Sequence, residues 1–362
     1  MSIVELEERI AALPPEPRAA AGRIYAVSTT TGTLVPPDAM RPWIEKLFGS
    51  VDAVRSQRIV RVTDRVTLEG ALFNALRAMR PMAVSDKSTA EVAETIRTTA
   101  GDPFCSVESG TPADDFGRVR GAHSVTASNV AKYDGYHGVL VFDAHDPLAR
   151  MDAGAIADHL ATARKWAEAA FERDPAAPYY FLMWNCLWRA GGSIVHGHMQ
   201  MTTTHGMHYP KVERLRQAAG GYAAQHGRDY FADLWLVHEA LGLGVAVGEA
   251  RVFATLTPIK EREIVILGLP GADERSIAAG IAHALAALRG LGVVAHDLGL
   301  YLPPLAADGT DWRRFPAVAR LVDRGDPGNR TCDIGSMELY AASVIASDPF
   351  SVAAALRGGS DR

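Results

Sequence analysis

Three cysteines in 362 residues, Cys105, Cys186 and Cys332, are too few and too scattered to staple a fold. That scarcity excludes a disulfide framework and fits a chain that works in a reducing interior. Basic charge is not in excess either. Against 42 Asp and Glu stand 37 Lys and Arg, a formal charge of −5, so the composition holds no electrostatic footprint for nucleic acid. Long apolar runs are missing: none reaches the roughly 18 residues that a membrane span needs. Glu5, Glu7 and Glu8 stand where a secretory leader would carry basic residues before an apolar run. The expectation is a soluble, cytoplasmic protein without a membrane or nucleic-acid partner. Apolar content, in contrast, is ample. At 48% hydrophobic the chain has enough for one large core or two smaller ones, and size priors favour two units of about 150 residues.

The stretch with the most chemistry runs from Asn185 to Gln200: Asn-Cys-Leu-Trp-Arg-Ala-Gly-Gly-Ser-Ile-Val-His-Gly-His-Met-Gln. From Ser193 onward the residues alternate and include β-branched types, which predicts a strand. Its period of two puts His196, His198 and Gln200 on one face. Unpaired polar groups on a buried strand face cost roughly 1–3 kcal/mol each, so a polar row among Ile, Val and Met marks a site. Gly191 and Gly192 allow a ligand close approach just before it. Two chemical readings fit a His-x-His pair: two imidazole ligands for one metal, or a histidine nucleophile beside a helper. A buried, satisfied pair is the third. Asn185, Ser193 and Gln200 favour chemistry on phosphoryl oxygens, which amides and hydroxyls suit.

With these residues in place, the segment resembles the active-site strand of galactose-1-phosphate uridylyltransferases and the related dinucleoside polyphosphate phosphorylases of the histidine-triad superfamily. Their pattern is an Asn, a Gly-rich turn, then Ser-x-x-His-Pro-His-x-Gln. Asn185, Ser193, His196, His198 and Gln200 fall at those spacings, with Gly197 in place of the Pro. The resemblance implies that His198 is the nucleophile, with Gln200 and Ser193 donating to phosphoryl oxygens. Arg77 and Arg80, ahead of Pro81, resemble the family's Arg-x-x-Arg-Pro element near the nucleotide phosphates, where guanidinium forks bind well. Asp102-Pro103-Phe104-Cys105-Ser106-Val107-Glu108 is similar to the family's Asp-Pro-x-Cys-x-x-Cys zinc segment, with Glu108 at the second Cys. The implied zinc ligands are Cys105, Glu108, His145 and His196. The other reading is a buried, unreactive Cys105 and an exposed Glu108. Asn129 resembles the residue that holds the nucleoside, and Asn185 joins it in the implied nucleotide site. Where the family's second metal segment would lie, the chain reads Leu298-Gly299-Leu300-Tyr301-Leu302-Pro303-Pro304, so no second metal is expected. Ile334 to Leu339 departs from the element that reads the hexose, and recognition in the galactose manner is not expected.

Residues 1–22 predict a short helix and a Pro-rich break at Pro14, Pro15 and Pro17. A strand is expected at 138–142. Asp152 then caps a helix with the stripe Ile156, Leu160, Ala163, Ala167 and Phe171. Tyr179 to Trp184 reads as a strand and 211–241 as helix. Strands at 252–256 and 263–267 precede a helix through Ile277, Ile281, Leu285 and Leu288, stopped by Gly290. This echo points to a duplicated half without its own histidine pair. The expected organisation is an arm and entry segment at 1–65, a catalytic half at 66–210 and a second half at 211–362. The expected fold class is α+β: two histidine-triad-like halves with antiparallel sheets flanked by helices. The expected activity is nucleotidyl transfer through a nucleotidyl-histidine, from a nucleotide or nucleotide-sugar to a phosphate or sugar phosphate. Two alternatives stand beside it: a phosphorylase or hydrolase of dinucleoside polyphosphates or nucleoside diphosphate sugars, and a nucleotide-binding module without turnover. Zinc is the expected metal, no organic cofactor is expected, and a homodimer is the expected assembly. Base and acceptor stay open.

Overall fold

The computed structural model describes residues 1–79, 88–272, 274–329 and 332–358, and its architecture is α+β. A nine-stranded sheet runs through both halves. In spatial order its strands are Ser124–Ser128, Tyr136–Phe142, His198–Thr204, Tyr179–Cys186, His296–Tyr301, Val318–Asp323, Ile264–Leu267, Ala250–Ala254 and Gly244–Val247. Every neighbouring pair is antiparallel.

The duplication is visible in that order. The first half contributes strand, strand, helix, strand, strand, the second three strands, a helix and two strands, and the two sets meet where Tyr179–Cys186 pairs with His296–Tyr301, in each half the strand that follows the helix. The helix Ala153–Arg173 packs against its counterpart Ala278–Gly290 across this junction. The predicted cap is present: the Asp152 carboxylate accepts from the Gly154 and Ala155 N–H groups, a contribution of about 1 kcal/mol. Ile156, Leu160, Ala163 and Ala167 are buried with Leu140, Leu182, Trp184, Met199 and Met201 from one sheet face. The opposite face carries His198 and Gln200 and is partly covered by Phe104 and Val107, which pack on Ala127, Val139 and Val141.

The N-terminal residues form two helices, Leu6–Ala11 and Pro15–Ile24, because Pro15 and Pro17 sit in the first turn of the second helix, where a missing N–H costs nothing. A long hairpin, Tyr25–Thr33 with Ser56–Asp64, then builds a four-stranded sheet with Gly70–Phe73 and Ser343–Ile345. The helix expected over 211–241 is two, Pro210–His226 and Tyr230–Ala240. Gly227, at φ +66°, ends the first in a left-handed cap, and Asp229 starts the second. Among the described residues no helix is long and apolar enough to cross a membrane.

Candidate active site

The strand carrying the site begins at His198, later than the pattern predicts. Ser193 to Gly197 turn across the neighbouring segment: the Gly197 N–H donates to the His145 carbonyl, and the Phe142 N–H donates to the Gly197 carbonyl. No side chain fits at Gly197, since a Cβ there would meet the Phe142 ring at 2.5 Å. His196 therefore sits ahead of the strand, while His198 and Gln200 share its open face, Gln200 opposite Val139 on one side and Met183 on the other. Gly192 serves the turn itself, because a Cβ would lie 2.9 Å from the Asn185 carbonyl oxygen, and Gly191 adopts φ +93°.

His198 is 7% exposed. Its Nδ1–H donates to the His196 carbonyl at 2.7 Å, which leaves the proton off Nε2 and a lone pair available there. Burial pushes its imidazole below the ordinary 6.5, so the neutral, nucleophilic form is favoured near pH 7. The Phe104 ring stands edge-on to His198, centroids 5.2 Å apart, and closes one side.

Beside the nucleophile candidate lies a second cluster. His145 donates Nε2–H to the Ile96 carbonyl at 2.8 Å, and His196 donates Nε2–H to the Phe142 carbonyl at 2.9 Å. Both rings then present bare Nδ1 lone pairs to each other at 3.3 Å, and the Cys105 sulfur lies 3.3 and 3.4 Å from the same two atoms. Converging lone pairs of this kind suit a cation that shares them, and backbone carbonyls fixing the far imidazole nitrogens are the usual support of metal-binding histidines. The fourth group is Asp102. Its Oδ1 accepts from the Phe104 and Cys105 N–H groups, while Oδ2 is buried without a partner. The four donor atoms lie within 4.8 Å of one another. Asp102, Cys105, His145 and His196 thus form a metal-binding group compatible with zinc, whose structural sites are four-coordinate and tetrahedral.

Glu108, expected as a ligand, is not in this group. It lies on the short helix Val107–Gly110, past the turn that carries Cys105, and pairs with Arg120 and, at 3.4 Å, Arg118. The carboxylate in its place is that of Asp102, the first residue of the Asp-Pro-x-Cys run, whose side chain also caps the turn Pro103–Ser106.

The remaining expected residues spread around the open face. Asn185 lies on Tyr179–Cys186 opposite Asp297, on the same face as Met183 and hence Gln200. Ser193 is exposed in the turn. Arg77 sits half-buried on the turn Ala75–Met79. Burial raises the Glu338 carboxyl, but backbone N–H groups, Lys260 and Arg77 bring it below its ordinary value, so Arg77 faces a segment of the second half. Arg80 lies outside the described residues. Asn129 follows the strand Ser124–Ser128, its Oδ1 accepting from the Ala131 N–H. Sequence reasoning missed His137, which is fully buried between Asn129 and Gln200 and 2.9 Å from the Gln200 carbonyl oxygen. A histidine inside Tyr-His-Gly-Val-Leu-Val-Phe was the sole signal.

No family model matches the sequence, and no curated protein matches it. Solved structures do share the fold. An ADP-glucose phosphorylase from Arabidopsis thaliana, with ADP-glucose bound, superposes with a TM-score of 0.62 at 16% identity, over 82% of this chain and 96% of that one. A structure described only as a uridylyltransferase gives 0.56 at 16% identity, over 69% and 88%. The fold is that of the uridylyltransferase group. A GalT-like protein from Arabidopsis thaliana gives 0.61 at 16% identity over 82% and 97%, so the likeness first read from the histidine stretch extends through both halves of the chain.

Proposed function

We propose that this uridylyltransferase-like chain is a nucleotidyltransferase that passes a nucleoside monophosphate through a covalent bond to His198. One observation carries the reading: the His198 proton is held on Nδ1 by the His196 carbonyl, so Nε2 is a free, buried nucleophile. Nε2 attacks the α-phosphorus of the donor, an N–P bond forms, and the phosphoanhydride P–O bond breaks with its electron pair leaving on the departing phosphate. The imidazolium so formed keeps its Nδ1–H on the His196 carbonyl. An oxygen of a phosphate or sugar phosphate then attacks the same phosphorus and returns the electron pair to Nε2. Dividing one displacement into two lowers each barrier. Gln200, Ser193 and Asn185 are the donors for the phosphoryl oxygens as charge develops, and Arg77 and Arg80 supply positive charge.

The donor class is a nucleoside diphosphate sugar or a dinucleoside polyphosphate. Phosphorolysis of a nucleotide sugar is the second reading, favoured by the ADP-glucose bound in one structure of this fold. Zinc suits the Asp102, Cys105, His145 and His196 set, and when bound it would supply a fixed anchor for the turn that carries the His196 carbonyl. The test is intact-protein mass after mixing with UDP-glucose, ADP-glucose and diadenosine tetraphosphate in turn. Wild type should gain one nucleoside monophosphate from at least one donor. His198→Asn should melt like wild type, gain nothing, and lose at least about 10⁴-fold in turnover, as expected when a nucleophile is removed. A gain that persists in His198→Asn excludes the mechanism. No gain from any donor returns the chain to the binding-module reading.

A further inference from the structure

His137 lies in the strand Tyr136–Phe142 and none of its contacts touches the metal-binding group. The backbone N–H of Tyr133 donates to its Nδ1 at 3.0 Å. A backbone donor cannot be reversed, so Nδ1 is an acceptor and the ring proton sits on Nε2. Among the described residues that proton has one acceptor in reach, the Gln200 Oε1 at 2.9 Å. The Asn129 amide nitrogen also approaches Nε2, at 3.2 Å, but Asn129 is oriented by the Ala131 N–H on its Oδ1, so here an N–H donor meets another N–H donor. This contact is not a hydrogen bond. The Nε2–H bond to Oε1 fixes Gln200 with its carbonyl toward His137 and its NH₂ turned away. Tyr133, 70% exposed, stacks on the His137 ring with centroids 4.5 Å apart, so the ring cannot swing.

We infer that His137 is a positioning residue: its Nε2–H, with Nδ1 locked by the Tyr133 backbone, sets the Gln200 amide so that its NH₂ donors face the substrate phosphoryl group. The inference rests on the chemistry proposed at His198. Without the ring proton the Gln200 amide can turn over and present its carbonyl oxygen to phosphoryl oxygens, which repel it. The role is selective for a rate rather than for binding, because the donors matter most when charge builds on phosphorus.

The test compares His137→Phe, which keeps a ring but no donor, with His137→Gln, whose terminal amide restores a donor where Nε2–H stood. Single-turnover formation of the nucleotidyl adduct should slow about 10–100-fold in His137→Phe, the range for outer groups that orient a working side chain. Donor affinity should be little changed, and His137→Gln should recover most of the rate. A second readout needs no reaction: nitrogen NMR of the His137 ring should report the Nε2–H tautomer, and the Gln200 side-chain NH₂ signals should lose their dispersion in His137→Phe. If wild type forms no adduct yet the tautomer and the Gln200 signals behave as stated, the transferase reading fails and the positioning claim stands. A wild-type rate in His137→Phe overturns the claim, as does a His137→Gln no better than Phe. Should His137→Phe not fold, an Nδ1–H tautomer in wild type overturns it, and an Nε2–H tautomer with an active His137→Gln supports it.

Discussion

The two halves present the same sheet face, and the contrast between them is instructive. Gln200 pairs with Met183, Met183 with Gly299 and Gly299 with Arg320, so one row of directly opposed residues crosses from the first half into the second. At the first-half end, polar groups are left with unused capacity: the His198 Nε2 lone pair, the Gln200 NH₂, the paired Nδ1 atoms of His145 and His196 and the bare Asp102 Oδ2. At the second-half end, Arg320 is closed off. Its Nε donates to Glu263 at 2.6 Å and its Nη1 to Glu69 at 2.8 Å, which ties the second half to the N-terminal sheet. A duplicated fold has thus divided its labour. One copy of the face leaves polar groups open at a cost in stability, and the other spends its charges on holding the molecule together.

The largest expected effect is on the closed end. Arg320→Met would leave Glu263 buried without its cation and Glu69 with Arg214 and Lys211, a change that typically costs roughly 3–5 kcal/mol. Urea unfolding should register that loss, while adduct formation by the fraction still folded stays at the wild-type rate. If instead the adduct disappears from folded protein, the division between the halves is broken and Arg320 belongs to the site. Next comes the metal-binding group. Purified protein should hold about one zinc per chain with bonds of ~2.0–2.3 Å. At free zinc a hundred times Kd the ion stabilises the fold by about 2.7 kcal/mol, so a chelator should lower the melting temperature of wild type and not that of Cys105→Ser. Equal melting with and without chelator, in protein shown by elemental analysis to have lost zinc, would mean that the converging lone pairs are held by the fold alone.

How much of this was legible in the sequence depended on whether a residue's role is local. The cap at Asp152, the stripe of the following helix up to Ala167 and the strand at Tyr179 follow from periodicity and from one carboxylate at a helix start, and the structure has them, with Phe171 only half-buried at the stripe's end. Two of the second-half strands, Ala250–Ala254 and Ile264–Leu267, and the helix Ala278–Gly290 were readable for the same reason, while Gly244–Val247, His296–Tyr301 and Val318–Asp323 were not foreseen. The split at Gly227 was missed because helical residues run up to Gly227 and resume at Tyr230, and a left-handed turn and the Asp229 cap divide them. The His196 position was misread because alternation cannot foresee that Gly197 packs under Phe142 and pulls the chain off the strand. Asp102 stands in the metal-binding group where Glu108 was expected for a reason that lies elsewhere in the chain: Glu108 pairs with Arg118 and Arg120. His137 could not be foreseen, since its meaning lies in the tautomer that a backbone N–H at Tyr133 imposes.

The smallest expected effect sharpens the contrast through acid. Asp233, on the second-half helix Tyr230–Ala240, is another closed charge. It accepts from Arg23 at 2.8 Å and Tyr222 at 2.5 Å, and Arg228 binds both its oxygens. Burial by itself would raise its carboxyl, but the hydrogen bonds from Arg228, Tyr222 and Arg23 overcome that and bring it down from 3.8 to about 2. A carboxyl whose pKa is lower folded than unfolded binds more protons in the unfolded chain, so stability rises with pH across that interval. The contribution is complete above the unfolded value of 3.8 and is lost as pH falls toward 2. Asp233→Asn should therefore melt roughly 2–4 °C below wild type at neutral pH, the shift that about 1 kcal/mol produces in a sizeable domain. The gap should narrow between about pH 4 and about pH 2 as wild type loses the same charge. Melting curves of both proteins over that range decide it. A gap that stays constant down to pH 2 would mean that Asp233 acts by shape and not by charge, and that the ties between the second half and the N-terminal helices, through Arg23, do not rest on ionisation.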